Sequence, residues 1–341
     1  MHHINVRNAH NKSRLKNIMG SRGARGAAVA VAVLQLAVLL SPPASAAPLS
    51  LDFHAASCPQ LESIVLSSVQ AALQKEIALA AGLLRIFFHD CFPQGCDASV
   101  YLNGTGSEQL EGANLSLQPR ALKLVDDIRA KVHAACGPTV SCADISALAT
   151  RDAVVVSGGP SYSVLLGQLD SLAPASSDLV GKLPNPSETS VRVLLSNFRT
   201  AGLGEPADLV ALSGGHTVGR AQCIFRRPVD DAFSGKLENN CTVVNPKRLQ
   251  ELDVITPDAF DNGYYIALTT RQGVFSSDMA LIRDPSTAPI VRQFAQDKAS
   301  FFAQFAKSMI KLSNAPRPGG NVGEIRRRCF STNGPRLVAD A

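Results

Sequence analysis

Apolar residues recur at helical spacing in the segment that follows Cys58. They are Leu61, Ile64, Val65, Val69, Ala72 and Leu73. Side chains three or four positions apart share one face of an α-helix, so the pattern predicts an amphipathic helix over residues 61–74. Residues 76–89 are mostly good helix formers and contain no Gly or Pro apart from Gly82. They predict a second helix.

The rest of the chain continues to favour helices. We predict them over residues 121–135, 142–156, 191–200, 257–270 and 286–312. Ser141 is a suitable N-cap for the helix that begins at residue 142. Residues 103–119, 157–190 and 225–245 are predicted to be loop-like. Alternation of apolar and polar residues, which indicates strands, is not sustained, so the sequence predicts a predominantly α-helical protein.

The N-terminal region has the pattern of a secretory signal. Its first 46 residues contain six basic residues and no acidic residue, with the apolar run 27–40 before Ala44-Ser45-Ala46. A basic region, a short apolar region and a small-residue cleavage site are typical of a signal peptide. The apolar run is too short to span a bilayer comfortably. We expect residues 1–46 to be removed, with Met19 as the alternative start.

The leader also accounts for the net charge. The chain has 33 Lys and Arg against 28 Asp and Glu, a net charge of +5; without the leader's six basic residues the balance is 27 against 28, or −1. A nearly neutral mature chain gives no support for nucleic-acid binding. The mature chain, of about 295 residues, is long enough for one large domain or two closely packed lobes.

All eight cysteines follow the leader. They are Cys58, Cys91, Cys96, Cys136, Cys142, Cys223, Cys241 and Cys329. An even number in a secreted chain predicts four disulfides, although their pairing stays open on this argument alone. No C-x-x-C pair occurs, which makes a zinc site the weaker interpretation.

Candidate chemistry begins on the second predicted helix. Arg85 and His89 are four residues apart, so their side chains share one face. The imidazole can remove a proton from a small polar substrate, and the guanidinium can stabilise the negative charge that develops. The positive neighbour also lowers the pKa of the imidazole, which would rest neutral and ready to act as a base. On this stretch alone, a capping or surface histidine remains the alternative.

Oxygen ligands follow directly after His89. The candidates are Asp90, Asp97, Ser99 and backbone carbonyls of the bend at residues 93–95. Carboxylates, hydroxyls and carbonyls are what Ca²⁺ takes. The pattern of an EF-hand is absent. Cys91 and Cys96 bracket the bend and are placed to staple it.

A second histidine lies far along the chain, in Ser213-Gly214-Gly215-His216-Thr217. Two histidines can face each other across a cofactor. One then ligates the metal, and the other acts at the metal's open coordination position. A ligating histidine usually donates its other ring proton to a carboxylate, and Asp278 is a candidate. A second set of hard oxygens for Ca²⁺ comes from Thr217, Asp253, Thr256 and Asp261. There is no C-x-x-C-H motif, so any haem would be bound non-covalently. Solvated loop acids and a helix-capping histidine are the alternatives.

Two motifs resemble those of the plant secretory, or class III, haem peroxidases. Arg85-Ile86-Phe87-Phe88-His89-Asp90-Cys91-Phe92 resembles their distal motif, and Ala211-Leu212-Ser213-Gly214-Gly215-His216-Thr217 resembles their proximal motif. Ser141-Cys142-Ala143-Asp144, Glu324-Ile325-Arg326 and the eight cysteines fit in the same order. The resemblance covers about residues 49–331.

The resemblance implies a predominantly α-helical, two-lobed peroxidase domain over residues 47–341, with one haem b between the distal and proximal lobes. It implies that His89 is the distal base and that Arg85 stabilises the leaving hydroxide. Asn114 would accept the ring proton of His89, with Glu108 supporting Asn114.

On the proximal side, the resemblance implies that His216 is the axial iron ligand and that Asp278 is its partner. Phe88 would guard the iron, and Pro184 would line the entrance for electron donors. A distal Ca²⁺ would take Asp90, Asp97, Ser99 and the carbonyls of Pro93 and Gly95. A proximal Ca²⁺ would take Thr217, Asp253, Thr256, Asp261 and the carbonyl of Ala259. The implied disulfides are Cys58–Cys136, Cys91–Cys96, Cys142–Cys329 and Cys223–Cys241.

The implied function is a secreted enzyme that reduces H₂O₂ and oxidises phenolic donors in two one-electron steps. Lignin precursors, cell-wall phenolics and the response to oxidative stress belong to this expectation. We expect a monomeric glycoprotein in the apoplast, with the vacuole as the alternative destination. No membrane attachment after signal cleavage and no nucleic-acid partner are expected. Of the sequons at Asn103, Asn114 and Asn240, the one at Asn114 is expected to stay unmodified.

The chain departs from the family pattern at several positions. Tyr162 stands where the family usually has its single Trp, and Gly167-Gln168-Leu169-Asp170 replaces G-R-R-D. Leu252 replaces a common aromatic, and the stretch from Cys223 to Cys241 is short. No catalytic position is lost, so we predict an active enzyme.

The sequence is compatible with two other classes of function. One is a catalytically inactive peroxidase scaffold that acts as a Ca²⁺-stabilised binding or cell-wall protein. This alternative is disfavoured because the catalytic positions are intact, namely Arg85, His89, Asn114 and His216. The other is a disulfide-bonded hydrolase that uses His and Asp. It is the weaker, because the chain has no G-x-S-x-G motif.

Overall fold

The computed structural model describes residues 48–241 and 248–334. The predicted signal peptide lies outside the described residues, as does the stretch 242–247. Helices dominate the described parts of the chain, as predicted. Within these two ranges, no helix is both long and apolar enough to cross a membrane.

The first half of the domain contains four long helices. They are α1 (Leu61–Leu73), α2 (Leu79–Gln94), α3 (Pro119–Cys136) and α4 (Cys142–Val156). Both α1 and α2 pack against α4, which is buried along nearly all of its length. The predicted bounds of α4 are confirmed, and Ser141 Oγ accepts a hydrogen bond from the amide of Asp144 at 3.0 Å as an N-cap.

Helix α2 begins later and runs further than its sequence predicted. It starts at Leu79 rather than at residue 76, and it continues past His89 with Pro93 inside its last turn. Gly95 ends it with a φ of 91°, a left-handed conformation that favours glycine, and its amide donates to Cys91 O at 2.9 Å. As a result, His89 and the first candidate oxygen ligand lie on one continuous helix.

Within the described residues, the second half contains seven helices of 4 to 10 residues, the 16-residue helix α12 and one small sheet. The helices are α5 (Ser177–Val180), α6 (Val191–Thr200), α7 (Pro206–Ser213), α8 (Ala232–Asn240), α9 (Gly263–Thr269), α10 (Ser276–Arg283), α11 (Ala288–Gln296) and α12 (Lys298–Ser313). Strand β1 (Arg220–Gln222) pairs antiparallel with β2 (Leu249–Glu251), with Arg220 opposite Glu251. A 3₁₀ turn, Gly214–Thr217, directly follows α7.

Several sequence predictions in this half were wrong. The helix expected over residues 257–270 begins only at Gly263, and the segment 157–190, expected to be loop-like, contains the short helix α5. The segment 225–245 was expected to be loop-like, but it contains α8, which a capping box between Asp231 and Ser234 begins. Residues 286–312 were expected as one helix, but the extended backbone of Asp297 separates α11 from α12, and its side chain caps α12. Helix α10 and the strand pair were not predicted, because elements this short carry little periodicity.

One large hydrophobic cluster joins the two halves. It contains residues of α1–α7 and α9–α12, together with Cys329 beyond α12. A smaller cluster contains Ala221, Leu237, Leu252, Val274 and Phe275. The structure joins Cys58 to Cys136, Cys91 to Cys96, Cys142 to Cys329 and Cys223 to Cys241. These are the four pairs that the family resemblance implies.

Candidate active site

Arg85 and His89 lie one turn apart on α2. The guanidinium of Arg85 donates to the backbone carbonyls of Ser116 at 2.8 Å and Ala113 at 3.1 Å, and to Ser116 Oγ at 3.1 Å. Arg85 therefore holds the loop that precedes α3 against α2. Sequence reasoning did not predict these acceptors, because nothing in a linear pattern links residue 85 to backbone carbonyls of a distant loop.

The same loop carries the partner of His89. Nδ1 of His89 lies 2.6 Å from Oδ1 of Asn114, and Asn114 Nδ2 donates to the backbone carbonyl of Glu108 at 2.9 Å. An amide oxygen can only accept, so His89 carries its proton on Nδ1 and keeps the lone pair on Nε2. Burial, and after it the charge of Arg85, lowers the pKa of His89 from 6.5 to about 3, against the opposing effect of the Asn114 hydrogen bond. The structure thus holds a neutral imidazole with a fixed tautomer.

His216 has a different partner. Its Nδ1 lies 2.9 Å from Oδ1 of Asp278, whose side chain is only 1% exposed, while the side chain of His216 is 35% exposed. The rings of Tyr264 and Phe275 stand edge-on to the imidazole, with centroids 5.8 and 5.3 Å away. With Nδ1 held by a buried carboxylate, Nε2 is the ring nitrogen that could ligate a metal, and metal-bound histidines commonly have this arrangement.

The two histidine motifs meet at α2. A Cβ on Gly215, the residue before His216, would lie 3.1 Å from Cδ2 of Leu84, the residue before Arg85. A Cβ on Gly219 would lie 2.5 Å from the Cβ of Ala81. The segment around His216 therefore approaches the helix that carries the distal residues. At Gly219, where φ is 97°, the approach is close enough to require glycine.

Three side chains after His89 form a first oxygen cluster, consisting of Asp90, Asp97 and Ser99. The carboxylate of Asp90 accepts from the amides of Ala98 at 2.9 Å and Val100 at 3.4 Å. Burial and the charge of Asp97 raise the pKa of Asp90, and burial raises the pKa of Asp97. Ser99 Oγ is buried without a hydrogen-bond partner. A buried orphan hydroxyl beside two mutually repelling carboxylates fits a cation.

A second oxygen cluster consists of Thr217, Asp253, Thr256 and Asp261. Thr217 Oγ1 donates to Asp253 Oδ2 at 3.0 Å, and Thr256 Oγ1 donates to Asp261 Oδ1 at 2.8 Å. A Cβ on Gly263 would lie 2.4 Å from Thr256 Oγ1 and 2.6 Å from Asp253 Oδ2. The oxygens therefore converge on a point that only glycine leaves open. All four side chains come from the set predicted for the proximal Ca²⁺.

Both clusters need ligands besides carboxylates. In the described ranges, no group of three or more His, Cys, Asp and Glu side chains is arranged to hold a metal. A cation in either cluster would therefore depend on hydroxyls and carbonyls as well. The predicted carbonyl ligands lie close by in sequence, at Pro93 and Gly95 for the first cluster and at Ala259 for the second.

Phe88 and Pro184 are the two remaining residues that the resemblance assigns to the site. The ring of Phe88 lies 6.1 Å from the His89 ring and 4.8 Å from that of Phe92, centroid to centroid, and it is half-buried. Pro184 is also half-buried, between α5 and α6. Two residues later, the carbonyl of Pro186 accepts from the amide of Ser277 at 3.0 Å, which ties this segment to the residue before Asp278.

Comparison with known proteins defines the class. Residues 65–297 match the family model described as Peroxidase. The chain belongs to the peroxidase family, and membership implies a haem, with hydrogen peroxide as oxidant and phenolic compounds as donors. It is an enzyme family, and its mostly helical fold is the one described above.

The similarity extends to individual plant proteins. The chain is 46% identical over 305 residues to Cationic peroxidase SPC4 of Sorghum bicolor, covering 85% of this chain and 84% of that one. It is 44% identical to Peroxidase 66 of Zea mays, covering 87% and 95% of the two chains. It is 42% identical to Peroxidase 12 of Arabidopsis thaliana, covering 84% and 83%. Homologues named as peroxidases therefore span nearly the whole domain.

Proposed function

We propose that this protein is a secreted haem peroxidase in which Arg85, His89 and Asn114 form the distal site and His216 and Asp278 the proximal one. One observation carries the proposal: each of the two histidines has its Nδ1 held by a buried acceptor. Each therefore directs Nε2 away from its partner, one as a base and the other as a ligand.

His216 would hold the iron of one non-covalently bound haem b through Nε2. When bound, the haem supplies the two electrons that cleave the O–O bond of H₂O₂ and recovers them singly from two donor molecules. Together with two protons, these electrons convert one peroxide into two waters.

The chain's own residues would manage the proton. Nε2 of His89 accepts a proton from one oxygen of the peroxide and returns it to the other oxygen. The second oxygen then leaves as water rather than as hydroxide. The low pKa of His89 keeps Nε2 free for this step. Arg85 stabilises the negative charge that develops as the O–O bond breaks, and removing one such donor costs about 10²–10³ in rate. Phe88 would restrict donors to the edge of the haem, with Pro184 at their entrance.

Two Ca²⁺ ions would stabilise these positions. The first oxygen cluster begins one residue after His89, and the second begins one residue after His216. Because each cluster adjoins a histidine in sequence, a cation in it would restrain the backbone that positions the imidazole. The ligand sets are those predicted above, including the carbonyls of Pro93, Gly95 and Ala259.

The mature protein would be a monomeric glycoprotein in the apoplast that begins near Ala47. Phenolic compounds of the cell wall, including lignin precursors, are the proposed donors. Edman degradation of the secreted protein tests the processing site, and a first residue at or close to position 47 is expected. Light scattering of the same sample tests the monomer.

An absorption spectrum tests the chemistry. The secreted protein, prepared with Ca²⁺ and haem, should show a Soret band that shifts after one equivalent of H₂O₂. His216→Ala should lose the band. His133→Ala, which removes a histidine bonded to the backbone carbonyl of Val140, should keep it. A Soret band that peroxide leaves unchanged would contradict the distal assignment, and no band at all would contradict the haem site.

A further inference from the structure

The carboxylate that holds His216 receives a second hydrogen bond, from Tyr264. The hydroxyl of Tyr264 donates to Asp278 Oδ1 at 2.9 Å, which is the same oxygen that His216 Nδ1 approaches at 2.9 Å. The other oxygen, Oδ2, accepts from the amide of Phe275 at 3.0 Å. Tyr264 and Asp278 are each only 1% exposed. In this site, two donors therefore share one oxygen atom of a buried carboxylate.

Tyr264 is a permanent donor. Burial, and after it the negative charge of Asp278, raises the pKa of Tyr264 well above its usual value, so the phenol stays protonated. Its ring is fixed by edge-on contacts with Tyr265, at 5.0 Å between centroids, and with His216. The hydroxyl cannot turn to water, because the side chain is buried.

A shared acceptor weakens each of the bonds that it accepts. The negative charge that Asp278 Oδ1 directs at Tyr264 is not available to His216, so the Nδ1–H bond of the imidazole is less polarised than it would be with an unshared carboxylate. A less polarised Nδ1–H bond makes Nε2 a weaker electron donor to a metal.

We propose that Tyr264 is a positioning residue that limits the pull of Asp278 on His216 and thereby raises the reduction potential of the haem iron. The inference rests on the proposed function, because it requires His216 as the iron ligand. It adds Tyr264 to the residues that act on the haem iron, and neither the histidine motifs nor the cysteine pattern indicates this tyrosine.

The test compares Tyr264→Phe with Tyr265→Phe in the haem-loaded protein. Tyr265 is equally buried and adjoins Tyr264, but its hydroxyl donates to the backbone carbonyl of Val210 at 2.8 Å and not to Asp278. Both variants keep the aromatic ring and lose one buried hydroxyl. They differ in whether the lost hydroxyl reached Asp278.

The readouts are the Fe(III)/Fe(II) potential from a redox titration and the iron–histidine stretching frequency of the ferrous protein from resonance Raman spectra. In Tyr264→Phe the potential should fall and the frequency should rise, because Asp278 Oδ1 then accepts a hydrogen bond from His216 alone. Tyr265→Phe should leave both at the wild-type values. Unchanged values in Tyr264→Phe, or equal shifts in the two variants, would overturn the inference.

A double-mutant cycle isolates the route through Asp278. With Asp278→Asn in the background, adding Tyr264→Phe should no longer shift either readout. A full shift in that background would mean that Tyr264 acts by another route and would overturn the inference alone. A wild-type protein without a Soret band would overturn both this inference and the proposed function, which separates the two kinds of failure.

Discussion

Oδ1 of Asn114 and Nδ1 of His89 are 2.6 Å apart, which joins a loop residue to a helix residue 25 positions earlier in the chain. The amide of Asn114 is itself oriented, since its Nδ2 donates to the carbonyl of Glu108 at 2.9 Å. The orientation of the amide decides which ring nitrogen carries the proton, and hence whether His89 can act as a base.

Replacing Asn114 should therefore slow the reaction with peroxide without preventing haem binding. In Asn114→Ala, His89 loses the acceptor that fixes its tautomer. The second-order rate constant with H₂O₂ should fall by at least about tenfold, up to the roughly 10²–10⁴ that a general base contributes. Stopped-flow absorbance at the Soret band measures it. Asn103→Ala, at an exposed sequon, is the control. Equal rate constants for Asn114→Ala and this control would contradict the role of Asn114.

The same two hydrogen bonds should exclude a glycan from Asn114. Both polar atoms of its side chain are in use, and the residue is 2% exposed, whereas Asn103 is exposed. Glycopeptide mapping of the active, secreted protein should find Asn114 unmodified. Substantial glycosylation of Asn114 in active enzyme would contradict the proposed contact between Asn114 and His89.

Arg85→Gln should change the pH dependence of the peroxide reaction. The charge of Arg85 is the second cause, after burial, of the low pKa of His89, about 3. A protonated His89 cannot accept a proton, so the wild-type rate constant should stay level as pH falls to 4. Without the charge the pKa rises toward 6.5, and the rate should begin to fall at higher pH.

The rate itself should also drop by about 10²–10³ in Arg85→Gln, because a stabilising donor is lost. Arg120→Gln removes an exposed arginine paired with Glu76 and should match the wild type in both respects. Stopped-flow measurements between pH 4 and 8 distinguish the outcomes. If the rate constant began to fall at the same pH in Arg85→Gln and in the wild type, the guanidinium would not contribute to the low pKa of His89.

Gly263→Ala should abolish cation binding in the second oxygen cluster. Its new Cβ would lie within 3 Å of Thr256 Oγ1 and Asp253 Oδ2, where the ligand oxygens converge. Bound calcium per chain, measured by metal analysis after dialysis, should fall by one. The melting temperature should fall as well, since a bound ion stabilises the folded state.

Gly235→Ala is the matched control for this substitution. Gly235 lies in α8 with no atom within 4 Å of an added Cβ. There, alanine should stabilise the helix by about 0.5–1 kcal/mol and leave the calcium content unchanged. If Gly263→Ala also kept the wild-type calcium content, the second cluster would not be the cation site.

Local sequence signals predicted the parts of the structure that local interactions determine. The bounds of α4 follow from a Ser N-cap and an unbroken apolar pattern, and the spacing of Arg85 and His89 places both on one face of α2. Helix α8 was missed although its capping box, Asp231 with Ser234, was present, because the segment has little apolar periodicity. The pattern over residues 286–312 places Asp297 inside one helix, although its side chain can cap the helix that follows.

Tertiary contacts could not be predicted from such patterns. The pairing of His89 with Asn114 was expected only because the motifs resemble those of a known family. Asp278 was already a candidate partner for His216 from the chemistry of metal-bound histidines, and the resemblance singled it out. The bond from Tyr264 to Asp278 had no signal in the sequence, since a tyrosine in an apolar helix is as consistent with simple burial. The backbone acceptors of Arg85 were missed for a similar reason, because every residue has a carbonyl.

The disulfide between Cys142 and Cys329 has a genetic consequence. It joins the start of the most buried helix to a segment beyond α12, where Arg326, fully buried, donates to the carbonyls of Ala98, Ser171 and Cys329. A stop codon shortly after α12 would leave every residue of the candidate active site encoded. It would nevertheless remove one partner of this bond and the Arg326 contacts. Such an allele would lose activity because the truncated protein fails to mature, and not because a catalytic residue is missing.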